Sequence, residues 1–134
     1  MISFKEIAGN TPVSDIPWAT QRNITDLQNA VNIIRAAWGK PMTVTSGYRT
    51  MQDHLRIYSE KGITDKSKIP MLSQHLFGNA VDIADASGEL KAWVNANVNL
   101  LEKAGLWCES FDSTPTWVHF QRLPPKSGNR FFKP

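Results

Sequence analysis

The stretch Ser73-Gln74-His75-Leu76-Phe77-Gly78-Asn79-Ala80-Val81-Asp82-Ile83 reads as a turn running into a strand. Gly78 lets the backbone double back, and from Asn79 to Asp85 the chain alternates, with Val81 and Ile83 on one face and Asp82 on the other. A carboxylate aimed from a sheet surface needs a charged partner or a metal. Further along, Trp117-Val118-His119-Phe120-Gln121 alternates in the same way, so Trp117, His119 and Gln121 share one side and Val118 and Phe120 the other. Laid side by side, these two strands bring His75, Asp82 and His119 to one centre.

Outward from this pair, Leu27, Ala30, Val31, Ile34 and Trp38 recur at helical steps within Thr25 to Trp38, and Gly39 stops the helix. Pro41 to Thr45 reads as a strand that delivers Ser46-Gly47-Tyr48-Arg49 at its end. Gln52 to Glu60 is a short helix on which His54 is expected to face solvent or substrate. The polar run from Thr64 to Leu72 is a loop leading directly into His75. Ser87 caps a helix carrying Leu90, Val94, Val98 and Leu101 on one face, stopped by Gly105. Leu106 to Ser110 and Thr116 to Gln121 form a hairpin through a turn at 111–115, and the tail from Leu123 is expected to lie extended on the surface. There is no internal repeat and no linker, so 1–134 reads as one domain and is expected to act as a monomer.

With 134 residues the chain is long enough to bury one core unaided. No segment approaches the roughly 20 uninterrupted apolar residues of a membrane span, and no signal peptide is visible at the N-terminus, so synthesis in the cytoplasm and no membrane insertion are expected. The single cysteine, Cys108, excludes an intramolecular disulfide and a thiolate-rich zinc site. The net charge of +3 is small and scattered and comes with no nucleic-acid motif, so no nucleic-acid partner is expected; a mildly basic surface equally suits an acidic wall polymer.

Two imidazoles and one carboxylate can hold a zinc ion and leave a position for water, whose pKa zinc lowers to about 7 while it polarises a carbonyl. That is the chemistry of amide hydrolysis. The pattern Ser73-x-His75-x-x-Gly78-x-Ala80-x-Asp82, preceded by Ser46-Gly-Tyr-Arg49 and followed by Trp117-Val-His119, resembles the M15 family of zinc D-Ala-D-Ala carboxypeptidases and phage peptidoglycan endopeptidases. The resemblance spans roughly Thr43 to Gln121. It implies an α+β fold of the hedgehog and D-Ala-D-Ala peptidase type, with helices on a small antiparallel sheet. It also implies Zn2+ held by His75, Asp82 and His119, with Arg49 near the scissile bond to hold a substrate carboxylate or an oxyanion. Ser73, Gln74, Tyr48 and Trp117 are the expected substrate contacts.

One position departs from the family. Its well-studied members carry an acidic general base three residues before the last histidine ligand, where this chain has Thr116. Threonine cannot take that proton at neutral pH. Glu109 is the preferred substitute, provided its strand register turns it inward; Asp112 is the reserve and Asp85 a more remote one. The resemblance thus implies a peptidase acting on peptidoglycan stem peptide at the bacterial cell wall, as a phage- or prophage-type enzyme. A catalytically silent zinc module that recognises wall peptide or a protein partner is the alternative.

Overall fold

The computed structural model describes Met1–Pro134 and has an α+β architecture. A short helix α1 (Phe4–Ala8) precedes the long helix α2 (Trp18–Trp38), then come β1 (Val44–Ser46), α3 (Met51–Glu60), β2 (Ala80–Ala84), α4 (Glu89–Ala96), α5 (Val98–Ala104), β3 (Trp107–Glu109), β4 (Trp117–Gln121) and β5 (Phe131–Phe132). Helix α2 begins seven residues before the expected Thr25, because Thr20 and Ile24 continue the buried stripe of Leu27, Val31 and Ile34 at the same four-and-three spacing. Polar neighbours mask that extension in the sequence.

The five strands form one sheet in the order β1-β2-β4-β3-β5. The pairs β1/β2, β2/β4 and β4/β3 are antiparallel, as expected, but β5 runs parallel to β3, so the sheet is mixed rather than purely antiparallel. The tail makes this difference. After β4 the chain crosses back before it reaches Phe131, and a chain that returns by such a crossover arrives in the parallel sense. The Cys108 amide donates to the Arg130 carbonyl and the Ser110 amide to the Phe132 carbonyl, at 2.8 and 2.6 Å. Phe132 is buried, so the end of the chain is a structural edge and not a loose extension.

The expected single helix after Ser87 is two helices broken at Asn97, whose side-chain amide donates to the Trp93 carbonyl at 2.8 Å. That local bond competes with helix continuation. Ahead of α4, Asp85 accepts from the Leu90 and Lys91 amides, each at 3.0 Å, and pairs with the Lys91 ammonium. This carboxylate caps a helix and is not free to serve as a base.

One face of the sheet, with Val81, Ile83, Val118 and Phe120 all almost fully buried, joins the apolar stripes of the helices in the core. Helix α2 packs against both α1 and α5. Burial of each such side chain contributes about 1.5–3 kcal/mol. The opposite face of the two central strands carries Asp82, His119 and Gln121.

Candidate metal centre

The register of β2 and β4 sets Asp82 directly opposite His119. His75 reaches the same point from the turn of 3-10 helix Gln74–Phe77, which begins with the Ser73 hydroxyl accepting from the His75 amide at 3.4 Å. It ends at Gly78 with φ of 74°, and a Cβ there would stand 2.8 Å from Ile24 Cγ1. Glycine is required on both counts. One ligand atom from each of His75, Asp82 and His119 lies within 4.8 Å of the others, and all three residues are buried. That spacing suits a single metal ion.

The hydrogen bonds around the two imidazoles decide which nitrogen each presents. His75 Nδ1 lies 2.8 Å from the Gly47 carbonyl, which can only accept, so Nδ1 carries the proton and Nε2 turns toward Asp82 Oδ2 at 3.3 Å. Gly47 itself can carry no side chain, because a Cβ would collide with the Ile7 backbone. His119 Nε2 lies 2.9 Å from Gln121 Oε1, and the Gln121 amide is oriented by donating from Nε2 to the Leu123 carbonyl at 2.8 Å. His119 therefore donates through Nε2 and presents Nδ1, 2.9 Å from Asp82 Oδ1. Ligands oriented by such outer partners are the usual construction of a protein metal site.

The electrostatics agree with this donor set. Burial pushes the Asp82 carboxyl up, but the two imidazole nitrogens that face it donate to it and add positive charge whenever they take up a proton, and this more than reverses the effect of burial, holding the carboxyl well below the usual carboxylate range. Burial depresses the His75 imidazole, and Asp82 offsets only part of that, so its Nε2 lone pair is free. Burial likewise opposes charge on His119, but the hydrogen bond and charge of Asp82, aided by Gln121 and Glu109, leave its pKa above the ordinary value. A positive centre between the His119 nitrogen and the Asp82 carboxylate is what these groups favour, whether proton or metal. The residues fit a divalent zinc-like cation on chemistry as well as on spacing.

The remaining expected site residues divide into those the fold brings to this centre and those it does not. In the order β1-β2-β4-β3 the three ligands are flanked on both sides. From the β1 side, Arg49 Nη2 stands 3.7 Å from Asp82 Oδ2. From the β3 side, the pairing of Trp107 with Gln121 turns Glu109 inward, and Glu109 Oε2 lies 3.9 Å from His119 Nδ1. Burial, reinforced by the Asp82 charge and opposed by His119, raises the Glu109 carboxyl above its ordinary value. Asp112 is exposed in the 3-10 turn Phe111–Ser113, which follows once the chain has passed the site at Glu109 and left the sheet. Thr116 is exposed as well.

A cleft of about 680 Å3 opens over the centre, lined by Pro70 to Gln74 on one wall, by Glu109, His119 and Gln121 on its floor, and by Lys126, Phe132 and Pro134 from the tail. Ser73 and Gln74, named from the sequence as substrate contacts, are on its wall. Tyr48, Arg49 and Trp117 do not line it: Tyr48 packs against the core and borders, with Arg49, a separate cavity of about 270 Å3, and Trp117 sits half-buried opposite Ala84 at the far end of β4. His54, expected to face solvent or substrate, is fully buried. Gln121 and the tail residues of the cleft were missed as site components. The spacing of Gln121 from His119, two residues on one strand, is the signal that points to it.

These observations define an α+β domain with a His-Asp-His metal centre at the floor of an open cleft. A family model described as Peptidase M15 matches residues 6–120, and the chain belongs to that family of zinc-dependent peptidases. Comparison with curated proteins and with solved structures gave no match.

Proposed function

We propose that the protein is a zinc-dependent peptidase that hydrolyses peptide bonds in the stem peptides of bacterial peptidoglycan, as a carboxypeptidase or an endopeptidase, with Glu109 as the general base. The observation that carries this reading is the inward turn of Glu109. Its carboxylate lines the cleft beside the ligand set, in a chain whose Thr116 cannot act as a base. A silent binding module would have no need of a half-buried carboxylate there.

Zinc held by His75, Asp82 and His119 would polarise the scissile carbonyl and make the attacking water more acidic. Glu109, on the β3 side, takes the proton released from that water and can return it to the leaving amine. Arg49, on the opposite side, directs its guanidinium at the negative charge of a substrate carboxylate or of the developing oxyanion. Ser73 and Gln74 border the path of the peptide along the cleft wall. The site of action is then the bacterial cell wall, and the resemblance to phage endopeptidases supports a lytic enzyme of phage or prophage type, acting as a monomer.

The test is incubation of the purified protein with peptidoglycan fragments, with and without a chelator, and identification of products by mass spectrometry. Chelator-sensitive cleavage of a stem-peptide bond is expected, and the masses identify that bond. Absence of any such cleavage overturns the reading. Glu109→Gln should lower kcat by roughly 10²–10⁴-fold while leaving bound zinc stoichiometric; undiminished turnover would remove Glu109 from the mechanism.

A further inference from the structure

His54 is fully buried on α3, yet it belongs neither to the apolar core nor to the metal centre. Its Nε2 lies 2.9 Å from the Pro70 carbonyl oxygen, and its Nδ1 lies 3.4 Å from Arg49 Nη1. A carbonyl can only accept, so Nε2 carries the ring proton. In the neutral ring Nδ1 is then a lone pair, and it accepts from the Arg49 guanidinium. Burial, with the nearby charges of Arg49 and Lys61, favours that neutral ring and outweighs the opposing effect of the Pro70 bond. The Tyr58 ring closes the remaining side edge-on, 5.1 Å away between centroids.

The two partners of this imidazole lead to the site by different routes, Pro70 as part of the cleft wall and Arg49 through its ion pair with Asp82. Arg49 is held at each of its three guanidinium nitrogens: Nε donates to Ser46 Oγ at 2.9 Å, Nη1 faces His54, and Nη2 faces Asp82. Pro70 opens the wall that runs to Gln74, and its carbonyl also accepts from the Ser73 amide at 3.2 Å. A long, flexible side chain needs such fixed partners to hold one direction in the absence of substrate.

We propose that His54 is a positioning residue, whose single imidazole, as the Nε2–H tautomer, both aims the Arg49 guanidinium and fastens the Pro70–Gln74 wall of the cleft. Arg49 and the wall are thereby set together, by a residue that touches neither substrate nor metal. The kinetic part of this inference rests on the peptidase reading above; its structural part does not.

Two substitutions separate the two bonds. In His54→Asn the amide oxygen takes the place of Nδ1 and can still accept from Arg49, but nothing reaches Pro70. In His54→Gln the amide nitrogen takes the place of Nε2 and can still donate to Pro70, but the acceptor for Arg49 is lost. The Asn variant should raise KM several-fold with kcat near that of the parent. The Gln variant should lower kcat by on the order of ten- to a hundredfold with a smaller change in KM. Equal kinetics in both variants, or losses that only follow the folded fraction, would assign His54 a purely structural role and overturn the proposal.

Two measurements need no turnover. Long-range proton–nitrogen correlation spectra of the intact, zinc-loaded protein should show His54 protonated at Nε2 and not at Nδ1. Amide exchange at residues 71–74 should accelerate in His54→Asn and stay unchanged in His54→Gln. An Nδ1–H ring, or equal exchange in both variants, contradicts the proposal even if no peptidoglycan bond is cut. Failure of the cleavage assay with both results as expected would instead discard the substrate and keep the latch.

Discussion

At the centre of β2 and β4 both faces are buried, but for opposite reasons. On the core face Val81, Ile83, Val118 and Phe120 are no more than 1% exposed, and on the site face Asp82, His119 and Gln121 are 6–8% exposed. Apolar burial is non-directional, so the core face requires only shape and volume. On the site face each polar group costs free energy unless it has a partner, and here the partners are specific: Gly47 for His75, Gln121 for His119, Leu123 for Gln121, and both imidazoles for Asp82. The same ten residues of strand thus carry stability on one side and a charged centre on the other.

If that division is real, substitutions on the two faces should have different consequences. Asp82→Asn keeps the volume but removes the anion on which both imidazoles and Arg49 converge. It should abolish stoichiometric zinc binding, measured by native mass spectrometry, and leave the circular dichroism spectrum intact. Unfolding of this variant would show that the site face also holds the sheet together. Phe120→Ala, on the core face, should cost about 3–5 kcal/mol in urea unfolding, with the surviving folded protein still binding zinc one to one. Loss of zinc from folded Phe120→Ala would break the division from the other side.

How much of this was legible beforehand follows the same line. The alternation of Val118 and Phe120 against His119 and Gln121 is written in a period of two, and the α2 stripe in steps of three and four. Asp82 stands out because a carboxylate between Val81 and Ile83 is unusual in a strand. Features fixed by pairing were not legible. The direction of Glu109 depended on Trp107 meeting Gln121, which no local pattern states. The parallel strand β5 is two residues long and follows a stretch rich in proline and glycine, so it carries no periodic signal. His54 lies on a largely polar helix and becomes buried only because the chain near Pro70 folds back over it.

The smallest expected effect tests the outer layer of the site face, where a neutral amide controls a ligand without facing the metal. Gln121 Oε1 accepts from His119 Nε2–H only because Gln121 Nε2 is committed to the Leu123 carbonyl. Gln121→Leu preserves most of the volume and removes the acceptor, which frees His119 to adopt the other tautomer and withdraw its Nδ1 lone pair. Zinc affinity, measured by competition with a chromophoric chelator, should fall by roughly 10–100-fold, with stability little changed. Gln121→Glu retains an acceptor for His119 while losing the bond to Leu123, and should therefore hold zinc more tightly than the Leu variant. Equal affinity in the two variants would mean that His119 is oriented by Asp82 alone. The polar face would then depend on direct contacts within the ligand set, without an ordered outer layer.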